Sequence, residues 1–299
     1  ATGGRALGDE AIAGAGLELA DDLALPYEAD LIAGKAGTVL ALLALGRPDA
    51  AAEAGERLLD QAARSATGWC WPSPPPATEP PLCGMGHGAS GIGLALLELA
   101  QATGDDRFAE AAGQAFAYER TWLNRDEGNW PDLRELDWSR LHLGEEPPYL
   151  PFWCHGGPGI GLARLRAYAL TGDGLALAEA AAAIDTSTAN AFRAGGGETN
   201  LSLCHGLGSL SELHLVAADV TGEGEHADIA RRLAELTLKG LAADLGEDVP
   251  CGVPNGGETP GLMLGLAGVA ATLLRLADPS ALPPPLLVAG WGSAVRSRA

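Results

Sequence analysis

Two copies of one short phrase carry the side chains best suited to bind a metal. Trp-Cys-His-Gly stands at 153–156 and Leu-Cys-His-Gly at 203–206. Cysteine thiolates and histidine nitrogens are the ligands that zinc prefers in proteins. Each phrase ends in glycine, which permits a tight backbone turn, and is followed by an apolar run with helical spacing. The two phrases therefore predict turns at helix N-termini that converge on one metal ion, although their cysteines, Cys154 and Cys204, are 50 residues apart.

The rest of the chain repeats this turn-and-helix pattern. Gly-x-x-Gly stands at 34–37, 88–91, 156–159 and 265–268, and a degenerate copy, Gly-Leu-Gly-Ser, stands at 206–209. An apolar, nearly uncharged run follows each copy. The intervals between copies are 54, 68, 50 and 59 residues, which is room for two helices and their connections. A fixed unit of this size predicts an array of helical hairpins.

The segments between the apolar runs are amphipathic and complete these hairpins. They carry apolar residues every three or four positions with charges between, at 51–66, 105–123, 174–189 and 227–243. This pattern predicts outer helices that pack on buried inner ones. Alternation typical of strands is almost absent, so we expect an all-α protein without a sheet. Three stretches, 71–81, 125–149 and 248–260, predict irregular loops, which in repeat arrays often form the binding face.

Composition restricts the partners and the compartment. The 299 residues include 19 Lys+Arg and 39 Asp+Glu, giving a net charge of −20. Such a surface repels nucleic acid and anionic membranes and favours a basic or neutral substrate. No apolar run approaches the roughly 20 residues that span a bilayer, and the N-terminus lacks a secretory signal pattern. With five cysteines and no signal, we expect reduced thiols, metal binding and a cytoplasmic protein.

With these phrases, and with Met-Gly-His-Gly-Ala-Ser-Gly at 85–91 and Asp-Leu-Ile-Ala-Gly at 30–34, the chain resembles the lanthionine synthetase C-like cyclase family. The likeness runs from about 30 to 276 and is greatest to the cyclase domain of bifunctional, class II lanthipeptide synthetases. It implies an α/α toroid of inner apolar and outer amphipathic helices. It also implies a peptide cyclase, which adds cysteine thiols to dehydroalanine or dehydrobutyrine and so forms lanthionine and methyllanthionine rings.

The resemblance also bears on domain organisation and partners. The family toroid classically has seven inner and seven outer helices, whereas five glycine units are present here. We therefore expect residues 1–299 to form a single cyclase domain that is part of a larger polypeptide or shortened at its N-terminus. The implied substrate is a dehydrated precursor peptide with a leader and a core. A dehydratase domain or protein is a further expected partner.

The family pattern assigns Cys154, Cys204 and His205 as ligands of one Zn²⁺, with a fourth position open to the substrate thiolate. A closed structural site with two cysteines and two histidines is the alternative, because His155 adjoins Cys154. We expect the open site, since two adjacent pairs can hardly all point at one ion. Trp153 and His155 would then line the pocket.

Two further positions match the family's acid/base residues, His87 and Asp30. His87 could instead cap a helix, and Asp30 could serve only to bind nearby backbone amides. The remaining histidines and cysteines are expected to lie outside the site: His142, His214, His226, Cys70, Cys83 and Cys251.

Three functions fit these residues. The first is a zinc-dependent lanthipeptide cyclase. The second is a protein prenyltransferase-like zinc toroid, although that ligand set includes an aspartate and lacks the doubled Cys-His-Gly phrase. The third is a non-catalytic cyclase-like domain that binds glutathione or a peptide and has a structural zinc.

Overall fold

The computed structural model describes residues 8–21, 25–73, 79–134, 138–193, 200–243, 249–280 and 282–287. Within these ranges the regular secondary structure is almost entirely helical. The helices are α1 Glu10–Asp21, α2 Lys35–Ala44, α3 Pro48–Gln61, α4 Ala89–Thr103, α5 Asp106–Arg120, α6 Trp138–His142, α7 Gly157–Thr171, α8 Gly174–Arg193, α9 Leu207–Thr221, α10 Gly224–Ala243 and α11 Leu266–Ala277. One turn of 3₁₀ helix spans Pro254–Gly256.

The helices form two layers. Helix pairs α2–α3, α4–α5, α7–α8 and α9–α10 are antiparallel hairpins, and the first helices of these pairs pack side by side in chain order, followed by α11. The inner helix α4 is buried on all sides from Ala89 to Ala100, whereas α5 buries one face that includes Phe108, Ala111 and Ala115. The prediction of an all-α protein with apolar inner and amphipathic outer helices is confirmed.

Short glycine-containing links close three of the hairpins. Gly104, Gly172 and Gly222 follow α4, α7 and α9 in the left-handed conformation, with φ of 72°, 76° and 77°. Each donates its amide to a carbonyl four residues earlier, which ends the inner helix. Asp105 then caps α5 by accepting a hydrogen bond from the amide of Arg107 at 3.0 Å. The chain thus reverses within two residues, and the outer helix packs against the inner helix before it.

Two details of the predicted elements are wrong. The helix predicted over 51–66 ends at Gln61, because the chain then forms a two-stranded antiparallel hairpin, β1 Ala63–Ser65 and β2 Gly68–Cys70. Arg64 pairs with Trp69 across this hairpin and lies 4.3 Å from the centre of its ring. Strands of three residues are too short to show alternation in the sequence, so the prediction of no sheet missed them.

The apolar inner helices nevertheless bury a few charged side chains, each with a partner on another helix. Arg164 of α7 is wholly buried and donates to Glu179 at 2.6 Å, to Glu119 at 2.8 Å and to Ser90 at 3.2 Å. Glu119 in turn accepts from the amide of Gly84 at 2.7 Å. Buried charge is tolerated here because each group is paired and hydrogen-bonded. Two similar pairs, Arg166–Glu98 and Arg275–Glu212, join other helices.

The Arg164 network gives a prediction about stability. Replacing Arg164 by Met keeps the side-chain volume but leaves Glu119 buried without its cation, so we expect the free energy of unfolding to fall by about 3–5 kcal/mol. Urea unfolding followed by circular dichroism measures this. The matched control is Arg231→Met on α10, whose exposed pair with Asp228 is worth less than about 1 kcal/mol. Equal losses in the two variants would contradict the buried network as a main source of stability.

A buried histidine, His214, connects the helices α8, α9 and α10. His214 of α9 is fully buried, its Nε2 lies 2.9 Å from Thr188 Oγ1, and its Nδ1 lies 3.0 Å from Nδ1 of His226. Since the Thr188 hydroxyl donates to the Ile184 carbonyl, it accepts from Nε2–H of His214. Burial, and then the nearby His226, lower the pKa of His214 to about 3.

This lowered pKa predicts that the free energy of unfolding decreases as the pH falls. Between pH 6.5 and 3 the unfolded chain protonates this histidine while the folded chain keeps it neutral, so the unfolded state binds more protons and stability falls as pH falls. We expect wild type to lose about 2 kcal/mol more than His214→Gln between pH 7 and pH 5. Urea unfolding at both pH values measures the difference. Parallel stability curves for the two proteins would contradict it.

Among the described residues, no helix is both long enough and apolar enough to cross a bilayer.

Candidate metal centre

The turns before the inner helices are joined to one another by backbone hydrogen bonds. Each bond connects a turn to the next one along the chain, at 2.9–3.2 Å. The donor and acceptor pairs are Leu31 N to Gly86 O, Gly86 N to Cys154 O, Trp153 N to Cys204 O, and Cys204 N to Met263 O. The four acceptors each stand two residues before the first glycine of their turn, and the bonds link five turns. Residues far apart in sequence are therefore held at neighbouring positions at one end of the inner layer.

Glycine is needed in these turns because the backbone approaches itself closely. A Cβ on Gly156, which has φ +130°, would lie 1.8 Å from the carbonyl oxygen of Leu150. A Cβ on Gly159 would lie 1.9 Å from the carbonyl oxygen of Trp153. The first glycine of Gly-x-x-Gly thus caps the helix, and the second lets the turn fold over its first residues. This is the physical origin of the repeat that the sequence shows.

Three potential ligands meet where the third and fourth turns touch. The ligand atoms of Cys154, Cys204 and His205 all lie within 4.8 Å of one another. Sγ of Cys204 lies 3.4 Å from Nε2 of His205. No other group of three such residues occurs among the described parts of the chain.

This donor set fits zinc. A tetrahedral ion with bonds of about 2.0–2.3 Å holds its ligand atoms roughly 3.3–3.8 Å apart, and Sγ of Cys204 and Nε2 of His205 already lie at 3.4 Å. Two thiolates and one imidazole are also the chemistry that zinc prefers. Cys154 is buried, Cys204 half-buried and His205 exposed, so the group opens towards solvent on the side of His205. Such an arrangement of three ligands allows a fourth ligand from outside to approach.

The two thiols shift each other's acidity. The Cys204 thiol donates a hydrogen bond to the sulfur of Cys154, and this bond, with help from His205, holds the pKa of Cys154 well below the usual value of a thiol. The same shared proton and burial raise the pKa of Cys204. The contact with Cys154 also raises the pKa of His205. The cluster therefore readily carries at least one negative charge, as a cation site requires.

His87 and Asp30 are in contact. Nδ1 of His87 lies 3.1 Å from Oδ2 of Asp30, and Oδ1 of the same carboxylate accepts from the amide of Ala33 at 2.7 Å. Burial acts to raise the pKa of Asp30, but the hydrogen bonds from His87 and Ala33 outweigh it and hold the pKa below its usual value. The carboxylate thus stays ionised and fixes the imidazole ring. The local amide contact and the histidine contact, which were alternatives in the sequence, coexist.

His155 and Trp153 lie beside these groups. The rings of His87 and His155 stack with centroids 6.0 Å apart. His155 is buried, its Nδ1 has no hydrogen-bond partner among the described residues, and burial followed by the charge of Arg134 lowers its pKa. Trp153 is buried in the core that also holds Cys154. His155 is not part of the three-ligand group, so the arrangement differs from a closed site of two cysteines and two histidines.

One charged residue near the site, Arg134, was not predicted from the sequence. Arg134 forms a two-pronged ion pair with the buried carboxylate of Asp132, with contacts of 2.6–3.1 Å. Its positive charge helps to lower the pKa of His155, and it opposes the rise in the pKa values of Cys204 and His205 without reversing it. No motif marks it, because it reaches the site from the irregular stretch 125–149 rather than from a repeated turn. The other three cysteines, Cys70, Cys83 and Cys251, are free thiols outside the ligand group.

An inner layer of helices surrounded by an outer layer, with Cys, Cys and His gathered where the turns meet, defines an α/α toroid with a candidate metal centre at one end. A solved structure titled "Nisin cyclase" has the same fold, with a TM-score of 0.63 and 16% sequence identity over 89% of this chain and 68% of that chain. The model of the family described as "Lanthionine synthetase C-like protein" matches residues 7–287. The chain belongs to the lanthionine synthetase C-like family.

The predictions of this family and of the α/α toroid are confirmed. Membership also supports the prediction of an enzyme, a lanthionine-forming cyclase. The likeness to a class II cyclase domain stays a prediction, as do the extent of the domain and the roles of the individual site residues.

Proposed function

We propose that this chain is a zinc-dependent lanthipeptide cyclase, which joins cysteine thiols of a dehydrated precursor peptide to dehydroalanine or dehydrobutyrine. The observation that carries the proposal is the meeting of Cys154, Cys204 and His205 within 4.8 Å in a member of this family. A precursor made of leader and core is the proposed partner, with a dehydratase domain or protein to supply the dehydrated residues.

Cys154, Cys204 and His205 would hold the zinc ion. When bound, zinc would lower the pKa of the substrate cysteine and present its sulfur as a thiolate. The exposed side of the ligand group, at His205, would admit the peptide. Two protein thiolates beside the incoming sulfur would keep that sulfur electron-rich and hence nucleophilic. A closed structural site is less well supported, since His155 lies outside the ligand group.

His87 would handle the proton. In the addition, the thiolate forms a bond to the β-carbon of the dehydro residue, the carbon–carbon double bond opens, and the α-carbon must then gain a proton. Asp30 holds the Nδ1–H form of His87, which would leave Nε2 of the half-exposed ring to take up the proton that the substrate thiol loses and to deliver it to the α-carbon. Asp30 itself would stay ionised and orient the ring. Arg134 would add positive charge near the enolate that forms in between.

A prenyltransferase-like reaction finds less support in the site. That ligand set includes an aspartate, and no carboxylate joins the group among the described residues. The remaining alternative, a non-catalytic domain that binds a peptide or glutathione, shares the metal site and differs only in chemistry. Its separation from a cyclase therefore requires an activity measurement.

The test is ring formation with a peptide that contains one cysteine and one dehydroalanine. Zinc-loaded protein is incubated with the peptide, and the product is treated with a thiol-alkylating reagent and analysed by mass spectrometry, because cyclisation itself leaves the mass unchanged. We expect the cyclised peptide to resist alkylation, and protein stripped of zinc by a chelator to lose this activity. Tight peptide binding with no protected product, at full zinc loading, would favour the non-catalytic alternative.

A further inference from the structure

A cavity of about 360 Å³ lies directly beside the candidate metal centre. It is enclosed by the end of α8, the start of α9 and the chain before the third turn. Most of its surface is apolar and comes from Phe152, Ala191, Leu207 and Leu210, and His205 forms one side. Its volume is sufficient for one large apolar side chain, such as leucine or phenylalanine.

Polar groups stand among these apolar ones. Asn190 and Asn200 are on the wall, and so is Ser187. The hydroxyl of Ser187 is buried and has no hydrogen-bond partner among the described residues. Because that hydroxyl lies beside Gly157 and has almost no accessible surface, the side-chain amides of Asn190 and Asn200 are the polar groups within reach of a ligand. An apolar cavity with a few polar groups matches a peptide segment better than a purely apolar molecule.

The imidazole of His205 separates the cavity from the two thiols. Its ring meets Phe152 edge-on with centroids 5.0 Å apart, and its Nε2 lies 3.4 Å from Sγ of Cys204. Consecutive α-carbons of a peptide are about 3.8 Å apart. A peptide whose cysteine sulfur sits at the ligand group therefore carries the side chain of the adjacent residue past His205 and into reach of the cavity.

We propose that this cavity binds the side chain of an apolar residue directly adjacent to the cysteine that undergoes addition. The proposal rests on the proposed function, because it takes the ligand group as the place of the substrate sulfur. It goes further in naming a sequence preference: a cysteine flanked by a large apolar residue over one flanked by glycine.

Binding can be measured without any reaction. Two fluorescein-labelled peptides contain one cysteine and have alanine in place of the dehydro residue, so that no ring can close. In one peptide leucine flanks the cysteine on both sides, and in the other glycine does. We expect the zinc-loaded protein to bind the leucine peptide about 10-fold more tightly by fluorescence anisotropy, since one buried leucine contributes at least this factor.

Filling the cavity should abolish the preference. Ala191→Trp is expected to weaken the leucine peptide to the level of the glycine peptide and to leave the glycine peptide unchanged. The control is Ala181→Trp, on an exposed position of the same helix outside the cavity, which should keep the 10-fold difference. Circular dichroism and zinc content verify folding, and Ala191→Leu, a smaller addition, should reduce the preference partly if Ala191→Trp does not fold.

Equal affinities of wild type for the two peptides, or a preference that survives in a folded Ala191→Trp protein, would overturn the proposal. Repeating the comparison with dehydroalanine restored separates it from the proposed function. If the preference for the leucine peptide disappears in Ala191→Trp, the cavity proposal is supported whether or not a ring forms. The absence of ring formation would then contradict only the proposed cyclase function. Ring formation at equal rates with both peptides, together with equal affinities, would overturn the cavity and leave the cyclase intact.

Discussion

Cys204→Ala is expected to abolish zinc binding and ring formation together. The three ligand atoms lie within 4.8 Å, so removal of one sulfur leaves only a thiolate and an imidazole, too few donors for a tetrahedral site. We expect metal content to fall from about one equivalent to near zero after dialysis. Cyclisation should slow by on the order of 10³-fold or more, since activation of a thiol by a metal is worth several kcal/mol.

Cys70→Ala is the matched control for this variant. Cys70 is a free, half-buried thiol in the β-hairpin, outside the ligand group, so its loss should change neither zinc content nor rate. Elemental analysis and the alkylation assay report the two properties separately. A Cys204→Ala protein that keeps a full equivalent of zinc and the wild-type rate would show that the ligand assignment is wrong.

The fold could be predicted because its repeat is enforced by close backbone contacts. A side chain at Gly156 or Gly159 would collide with carbonyl oxygens of the turn, so glycine is required at the spacing that the sequence displays. The hairpin at 63–70 and the end of α3 at Gln61 could not be predicted, because strands of three residues show no alternation and β2 is held by packing against the distant helix α5. The buried partners of Arg164 were hidden for a similar reason: they come from three different helices.

The residues of the candidate site likewise fall into those that the sequence predicts and those that only the structure shows. Residues on the repeated turns, such as Cys154 and His87, could be picked out because equivalent positions of a repeat converge in space. Whether His87 touches Asp30 depends on how two turns 57 residues apart pack, and the sequence left that open. Arg134 reaches the site from an irregular stretch, and the cavity beside His205 combines α8 with two turns. Such features arise from the packing of separate segments and leave no local pattern.

His87→Ala is expected to lower the rate of ring formation by about 10²–10⁴-fold while zinc binding stays at the wild-type level. The reason is that His87 lies outside the ligand group but stacks on His155, the neighbour of Cys154, and its Nδ1 is held by Asp30 at 3.1 Å, so Nε2 is the nitrogen left for proton transfer. Steady-state rates from the alkylation assay, together with zinc content, measure both effects. Loss of zinc along with activity would instead assign His87 a role in building the metal centre.

Asp30→Asn tests whether the Asp30 carboxylate orients His87 for proton transfer or only supports the fold of the first turn. The amide keeps the shape and still accepts a hydrogen bond from Ala33, but its NH₂ group donates to Nδ1 of His87 and so places the imidazole proton on Nε2, the wrong position for a base. We expect a smaller rate loss than in His87→Ala, about 10–100-fold, together with an altered pH–rate profile. Unchanged rate and unchanged profile in Asp30→Asn would mean that the carboxylate only braces the first turn, and proton delivery would then have to be assigned to a group other than the Asp30–His87 pair.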